Sequence, residues 1–555
     1  MRRILRPAGD RSAASRVFRH AGGAGLSQTT RVASHAPFGL DRDRAEPHVG
    51  ARPMWEGRAM VVRPRAARPG PILNAVLAAL AVAAAVALTP ATAAAQTTTA
   101  PAPASPTAAC TPLSPIAAPC TLLGKFADAA AAECRAAGVP DTDCTLPLAH
   151  VVTQHARDAY LQSAVHRAAV LQYRLGDALP LGQAPWVGTH NSFNAIANGP
   201  TLSRSDSNQQ LTLTQQLDVD VRSIELDLHY LPRAGGRQVI VCHGQGPDSL
   251  DAGCTTEPPF TQILPEVVTW LNAPGHENEV LLLYLEDEMK SAAAYASAIS
   301  TLDTQLRGTD GRSLIYRPDA AARAANGCTP LPLDVTRAQV RASGARVILV
   351  GSCAKGWAGD VFDWNADHVE SGSVARYRPY PACDASYARA TYHAKLVRYY
   401  EDSTLVATVV DPTRAPVDPE ALTPAKVAAM TACGVNLFGF DQLLPDDGRL
   451  AATIWSWADG QPAAPGCARQ RGDGRWATGS CAVRRRAACV TPAPSGVPRW
   501  RLTRRTVTFA QARKACWARG ARFAVPRSGL QNAQLRDVAR PGEGVWVAYR
   551  VRRAR

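Results

Sequence analysis

The sequence lacks the short motifs that assign most common enzyme chemistries. No CxxC occurs among its 14 cysteines, so a zinc ribbon has no support. There is no HExxH to hold a hydrolytic zinc and no GxSxG to carry a serine nucleophile. Neither a GxGxxG nor a P-loop is present to cradle phosphates. Aromatic residues make up only 6% of the 555 and charged residues 19%, while 46% are hydrophobic. That apolar share is ample for a sizeable core and excludes a wholly disordered chain. No repeat of solenoid length is visible.

Acidic residues are scarce at both ends. Residues 1–95 carry 14 Arg against 5 acids, and residues 467–555 carry 21 basic residues against 3 acids. The middle, 96–466, has 26 basic and 38 acidic residues, so the expected enzymatic core is acidic. This excludes a uniform nucleic-acid-binding surface, and no nucleic-acid partner is expected.

Long apolar runs are equally scarce, the exception being Ile72–Leu88. Arg63, Arg65 and Arg68 precede it, and Ala93-Ala94-Ala95 follows before Gln96, the pattern of an export signal. The run is short and Ala-rich for a membrane anchor. We expect secretion, with Met60 or Met54 as the true start and 1–95 as signal plus upstream extension. All 14 cysteines lie beyond this point, and an even count in an exported chain favours disulfides. Short spacings suggest the pairs Cys110–Cys120, Cys134–Cys144, Cys242–Cys254 and Cys467–Cys481.

Residues 96–121 read as a Pro/Ala/Thr linker and 122–181 as a helical prelude. From 182 to 454, short Val/Ile/Leu-rich strands alternate with helical stretches. Strand candidates are 186–190, 221–230, 238–243, 279–287, 345–351, 404–410 and 435–441, with helices at 260–272 and 292–306. Repeated strand–helix units imply a parallel sheet covered by helices. Their number suits a closed α/β barrel of the TIM type, with catalytic groups at the C-terminal strand ends. A doubly wound open sheet is the alternative. Residues 455–555, Arg-rich with four cysteines and six tryptophans, read as a separate small disulfide-stapled module.

Polar groups stand at the ends of these apolar strands. Glu225 and Asp227 are two apart, so on a strand they share a face. Two carboxylates inside a barrel are costly unless a cation or hydrogen bonds offset them. Oxygen donors from Asn191, Glu225, Asp227 and one acid of Glu286-Asp287-Glu288 suit Ca²⁺, or Mg²⁺. A salt bridge to Arg222 or to lysines is the bland alternative. His190 and His243 each end a predicted parallel strand and can face one another across the mouth. One could take a proton from an attacking hydroxyl while the other gives one to a leaving oxygen. Beside a divalent ion this is an arrangement for phosphodiester cleavage.

The segments GTHNSFN (188–194), QQLDVDVRSIELDLHY (215–230) and VIVCHG (239–244) resemble the X-region of phosphatidylinositol-specific phospholipase C and its wider PLC-like phosphodiesterase superfamily. The resemblance covers roughly 181–455. It implies a distorted TIM barrel and two-histidine acid/base cleavage of a phospholipid head group, hence a phospholipid or membrane-surface substrate. By it, His190 and His243 match the catalytic pair, and Asn191, Glu225 and Asp227 match the ligands of the calcium-dependent branch. Glu286 is carried over as the last ligand. Asp441 could orient His190, and Lys355, Arg398, Tyr399 and Tyr400 could bind the head group. Related barrels acting on glycerophosphodiesters or sphingolipids use similar residues, and a non-catalytic surface-binding barrel is the third reading. The C-terminal module is similar to pieces of a C-type-lectin-like domain in swapped order, which implies a carbohydrate- or anionic-surface-binding attachment.

Overall fold

The structure is a computed structural model. It describes residues 154–552 apart from 199–206, 245, 248–250, 252, 255–256, 325–327, 353–355, 358, 369–377, 384–394, 402–421, 447 and 492–497. The export segment, the linker, the first part of the prelude, Cys110–Cys120, Cys134–Cys144, the strand candidate 404–410 and Lys355 lie outside the described residues.

Helices α1 (Gln154–Gln162) and α2 (Ala164–Gly176) come first, followed by β1 (Trp186–Thr189), α3 (Leu213–Asp218), β2 (Ser223–Arg233) and β3 (Gly236–Val241). Next come α4 (Phe260–Asn272), β4 (Leu281–Asp287), α5 (Ala292–Gln305), β5 (Ile315–Tyr316), α6 (Ala320–Ala324), α7 (Arg337–Ala342) and β6 (Val347–Gly351). The short strands β7 (Phe362–Asp363) and β8 (Ala366–His368) precede β9 (Leu396–Tyr400), α8 (Pro424–Cys433), β10 (Leu437–Phe440) and α9 (Arg449–Ala452).

The strands β6, β4, β2, β1, β10, β9 and β8 neighbour one another in that order, all parallel. β7 pairs with β6 and β8 with β9, and two residues separate β7 from β8 along the chain. The segment 362–368 therefore joins the two ends of the sheet, and the ring is a distorted TIM-type barrel.

Alternation along the strands sorts side chains into two cores. Ile224, Leu226, Leu228, Leu283, Leu285, Leu349, Phe438 and Phe440 pack outward against the helices. Trp186, Leu282, Ile348, Leu396 and Leu437 face inward and plug the barrel floor. At the floor, α2 is pinned by Arg337, fully buried, which donates to Asp177 and to the Tyr173 and Pro185 carbonyls.

β3 departs from expectation. It pairs antiparallel with β2, from Leu228↔Val241 to Arg233↔Gly236, rather than forming a parallel strand. Only Ala234 and Gly235 link the two, far too few for a crossover, and Gly235 takes φ +93° to close the turn. The hairpin rises beyond the ring and returns to the level of Asp227, whose carbonyl accepts the Cys242 N–H at 3.2 Å.

Residues beyond the barrel form two three-stranded antiparallel sheets. One holds β12 (Trp476–Gly479), β11 (Gly466–Gln470) and β16 (Val545–Val551); the other holds β14 (Arg499–Leu502), β13 (Ala488–Thr491) and β15 (Arg522–Phe523). Two helices, α10 (Phe509–Trp517) and α11 (Gly529–Val538), complete this segment. Its apolar cluster packs on Val165, Ala168 and Leu171 of α2, and Gln172 Oε1 accepts the Trp455 and Ser456 N–H groups. The segment thus rests at the barrel end opposite the C-terminal strand ends. Cys242–Cys254, Cys383–Cys433, Cys467–Cys481 and Cys489–Cys516 are disulfides, and no described cysteine is free. No described helix is long and apolar enough to cross a membrane.

Candidate active site

The carboxylates converge because β2 and β4 lie side by side in register, with Asp227 opposite Glu286. One oxygen from each of Glu225, Asp227 and Glu286 lies within 4.8 Å of the others. Asp287, the neighbour of Glu286, points the other way. It accepts from Tyr295 Oη (2.9 Å), Trp357 Nε1 (3.1 Å) and the Met289 N–H, tying α5 to the barrel wall. Arg222, the alternative partner of the carboxylate pair, is engaged elsewhere: its Nε donates to Glu279 at 2.7 Å.

Glu225 and Asp227 are almost fully buried. Burial, offset in part by His190 but reinforced by Glu286, pushes the Glu225 carboxyl up to about 8. Asp227 is raised well above the ordinary range, first by burial and then by Glu286 and Glu225. Such a cluster of hard oxygen donors with excess negative charge is what a divalent cation stabilises. Asn191 fits the same set. Its backbone sits at φ +43°, a conformation asparagine tolerates, and its N–H donates to Glu225 Oε2 at 3.2 Å. Its side-chain NH₂ donates to Asp227 Oδ2 at 2.7 Å while its oxygen faces His190 Nε2 at 3.3 Å. A half-turn of the amide would present the oxygen to the carboxylate cluster instead.

His190 follows β1, and Asp441 follows the adjacent β10. The His190 Nδ1 lies 3.1 and 3.2 Å from the two Asp441 carboxylate oxygens. Burial opposes a charge on His190, but Asp441, Glu225 and Asp227 together raise its pKa well above 6.5. Gln209 stitches the dyad at the backbone, its Nε2 donating to the His190 carbonyl (2.6 Å) and the Phe440 carbonyl (2.8 Å). His243 is brought to the same rim by the β2–β3 hairpin. Its Nδ1 is 3.1 Å from Asn194 Nδ2. An amide NH₂ can only donate, so Nδ1 accepts and the proton of the neutral ring sits on Nε2.

Beneath the carboxylates, Arg398 is enclosed by aromatic rings, 4.4 Å from the centroid of Trp364, 5.3 Å from Tyr400 and 5.7 Å from Tyr284. Tyr400 meets His190 edge-on, ring centroids 6.0 Å apart. Tyr399, one residue earlier, points outward into the sheet–helix core, away from this cavity. The structure thus brings His190, Asn191, Glu225, Asp227, His243, Glu286, Asp441 and Arg398 to one end of the barrel together with Tyr400, and sets Tyr399 on the opposite face of β9. Sequence reasoning missed Asn194, although GTHNSFN contains it, and Gln209.

Two relatives from Mycobacterium tuberculosis, uncharacterized protein Rv2075c of strain H37Rv and uncharacterized protein MT2135 of strain CDC 1551, are each 59% identical over 436 residues. Each match covers 78% of this chain and 89% of the relative. Among solved structures, the phosphatidylinositol-specific phospholipase C of Listeria monocytogenes aligns over 51% of this chain and 97% of its own, at 15% identity and a TM-score of 0.32. A calcium-dependent phosphoinositol-specific phospholipase C from Pseudomonas sp aligns over 49% and 95%, at 13% identity and a TM-score of 0.27. Residues 145–447 match the family model described as the Rv2075c PI-PLC-like domain. With more than half its length inside that match and two relatives at 59% identity, the chain belongs to the Rv2075c PI-PLC-like family of the phospholipase-C-like phosphodiesterase superfamily.

Proposed function

We propose that this protein is an exported, Ca²⁺-dependent phospholipase-C-like phosphodiesterase that cleaves the head-group phosphodiester of a phosphatidylinositol-type lipid. The observation that carries the reading is the meeting of two imidazoles and three carboxylates at one barrel mouth. Asn191, Glu225, Asp227 and Glu286 would hold the cation, with Mg²⁺ as a weaker fit to a flexible, carboxylate-rich set. A cation bound there supplies positive charge to the phosphoryl oxygens.

The hydrogen bonds support one division of labour between the histidines. With a cation offsetting the carboxylate charge and the Asn191 oxygen turned toward it, His190 would keep only its Nδ1–H, accepted by Asp441, and Nε2 would take the proton of the inositol 2-hydroxyl as its oxygen attacks the phosphorus. His243, holding its proton on Nε2, gives it to the departing diacylglycerol oxygen. The bond from phosphorus to that oxygen breaks as the ring bond forms, and the products are a cyclic inositol phosphate and diacylglycerol. Arg398 and Tyr400 line the cavity below and would meet the head group.

Export accords with the 63–95 signal pattern and with disulfides throughout the described residues. The basic C-terminal segment would favour anionic surfaces. Calorimetric titration of Ca²⁺ together with turnover on phosphatidylinositol vesicles tests the reading. Binding should disappear in Asp227→Asn and turnover in His190→Ala; full activity in either variant refutes it.

A further inference from the structure

Asp441 stands next to a second buried acid that sequence reasoning passed over. Glu401 immediately follows β9 as Asp441 follows β10, so the two parallel neighbours deliver them side by side. Glu401 Oε2 accepts the Asp441 N–H at 2.8 Å and Arg449 Nη1 at 2.7 Å. Its Oε1 accepts the Leu422 N–H at 2.8 Å, and its own N–H donates to the Gly439 carbonyl at 2.8 Å. Arg449, at the start of α9, sends Nη2 to the Gln442 carbonyl at 2.8 Å. Gln442 itself is held at φ +48°, in the left-handed region, with its N–H on the Asn208 carbonyl. Glu401, Asp441, Gln442 and Arg449 are each 1 or 2% exposed.

A buried ion pair is weak evidence for stability, because desolvating both charges costs about as much as their attraction returns. What distinguishes this pair is where its hydrogen bonds go. They fasten the main chain of Asp441 and Gln442 and that of the segment entering α8. The bond they serve, between His190 and Asp441, is on the long side for a charge-assisted contact, so a few tenths of an ångström decide whether it forms.

We propose that the Glu401–Arg449 pair is the positioning device of the His190–Asp441 dyad, acting through the Asp441 main chain without touching substrate. The proposal rests on the reading of His190 as the acid/base group, but its test reads the hydrogen bond directly. In the full-length protein, proton NMR should show a low-field imidazole N–H resonance that vanishes in His190→Ala and in Asp441→Asn. Arg449→Met and Glu401→Gln should broaden or remove that resonance while cooperative melting is retained. kcat should fall about 10- to 100-fold with KM within twofold, and Arg449→Lys should recover part of both signals. An unchanged resonance and kcat in folded variants would overturn the proposal, as would failure of all three variants to fold, which makes the pair merely structural. If the wild type shows no phosphodiesterase turnover, the function assigned above fails while the N–H resonance still decides this inference.

Discussion

His190 and Asp441 stand 251 residues apart in the chain, yet their side chains meet at 3.1 Å because the strands that carry them are adjacent. The first strand of the barrel pairs with the last described one, so closing the ring assembles the dyad. The other groups of the candidate site meet in the same way, Asp227 and Glu286 across β2 and β4, and His243 through the β2–β3 hairpin.

The unbalanced charge at the mouth predicts an unusual pH response. Glu225, Asp227 and His190 all have raised folded pKa values, so the folded, cation-free protein binds more protons than the unfolded chain. For a raised pKa the stabilising effect is complete below the unfolded value and is lost as pH climbs through the folded one. Thermal midpoints in chelator should therefore drop between about pH 4.5 and 8, the Glu225 window. Millimolar Ca²⁺ should restore most of the loss at the upper end. Melting curves across pH, with and without Ca²⁺, check this; a midpoint that rises through the window contradicts it.

Assigning His190 as base and His243 as acid predicts different behaviour toward leaving groups. Each substitution to alanine should lower kcat on the lipid by about 10²- to 10⁴-fold. A head-group analogue with an aryl leaving group needs no proton at departure. It should rescue His243→Ala and leave His190→Ala inactive. The opposite pattern in steady-state kinetics would reverse the roles.

Cys242 precedes His243 directly, and its bond to Cys254 closes the loop that holds the histidine. Replacing both cysteines with serine should cost about 3 kcal/mol for a loop of this size. The loss of activity should exceed the loss of folded protein, because His243 is released from the Asn194 contact. Parallel urea melts and turnover assays separate the two effects.

Gly439 makes room for the Tyr400 ring: a Cβ at this position would lie 2.2 Å from Tyr400 Cδ1. Gly439→Ala should destabilise the fold by about 1–3 kcal/mol and push Tyr400 off His190. Its kcat should fall while Gly479→Ala, where a Cβ would meet nothing closer than 3.9 Å, leaves kcat unaltered. Equal kcat in the two variants would remove Tyr400 from the account.

The barrel was legible because buried parallel strands read as continuous apolar runs: β2, β4 and β6 are buried on both faces. What escaped was short or mixed. β5 and β7 span two residues each and leave no periodic signal. β9, Leu-Val-Arg-Tyr-Tyr, carries an arginine at its centre and looks polar, yet Arg398 lies inside an aromatic enclosure. Which of Tyr399 and Tyr400 faces the cavity was left open by the sequence, since a shift of one residue on a strand exchanges cavity for core. Glu225 and Asp227 escaped that ambiguity because they share one face and their apolar neighbours claim the other.

Phosphorus NMR of phosphatidylinositol vesicles incubated with the full-length protein tests the central claim most directly. With Ca²⁺ present, the account predicts a cyclic inositol phosphate resonance that grows with time and stays absent in excess chelator. An equal rate of phosphodiester cleavage in chelator, or a linear monophosphate as the first product, would contradict it.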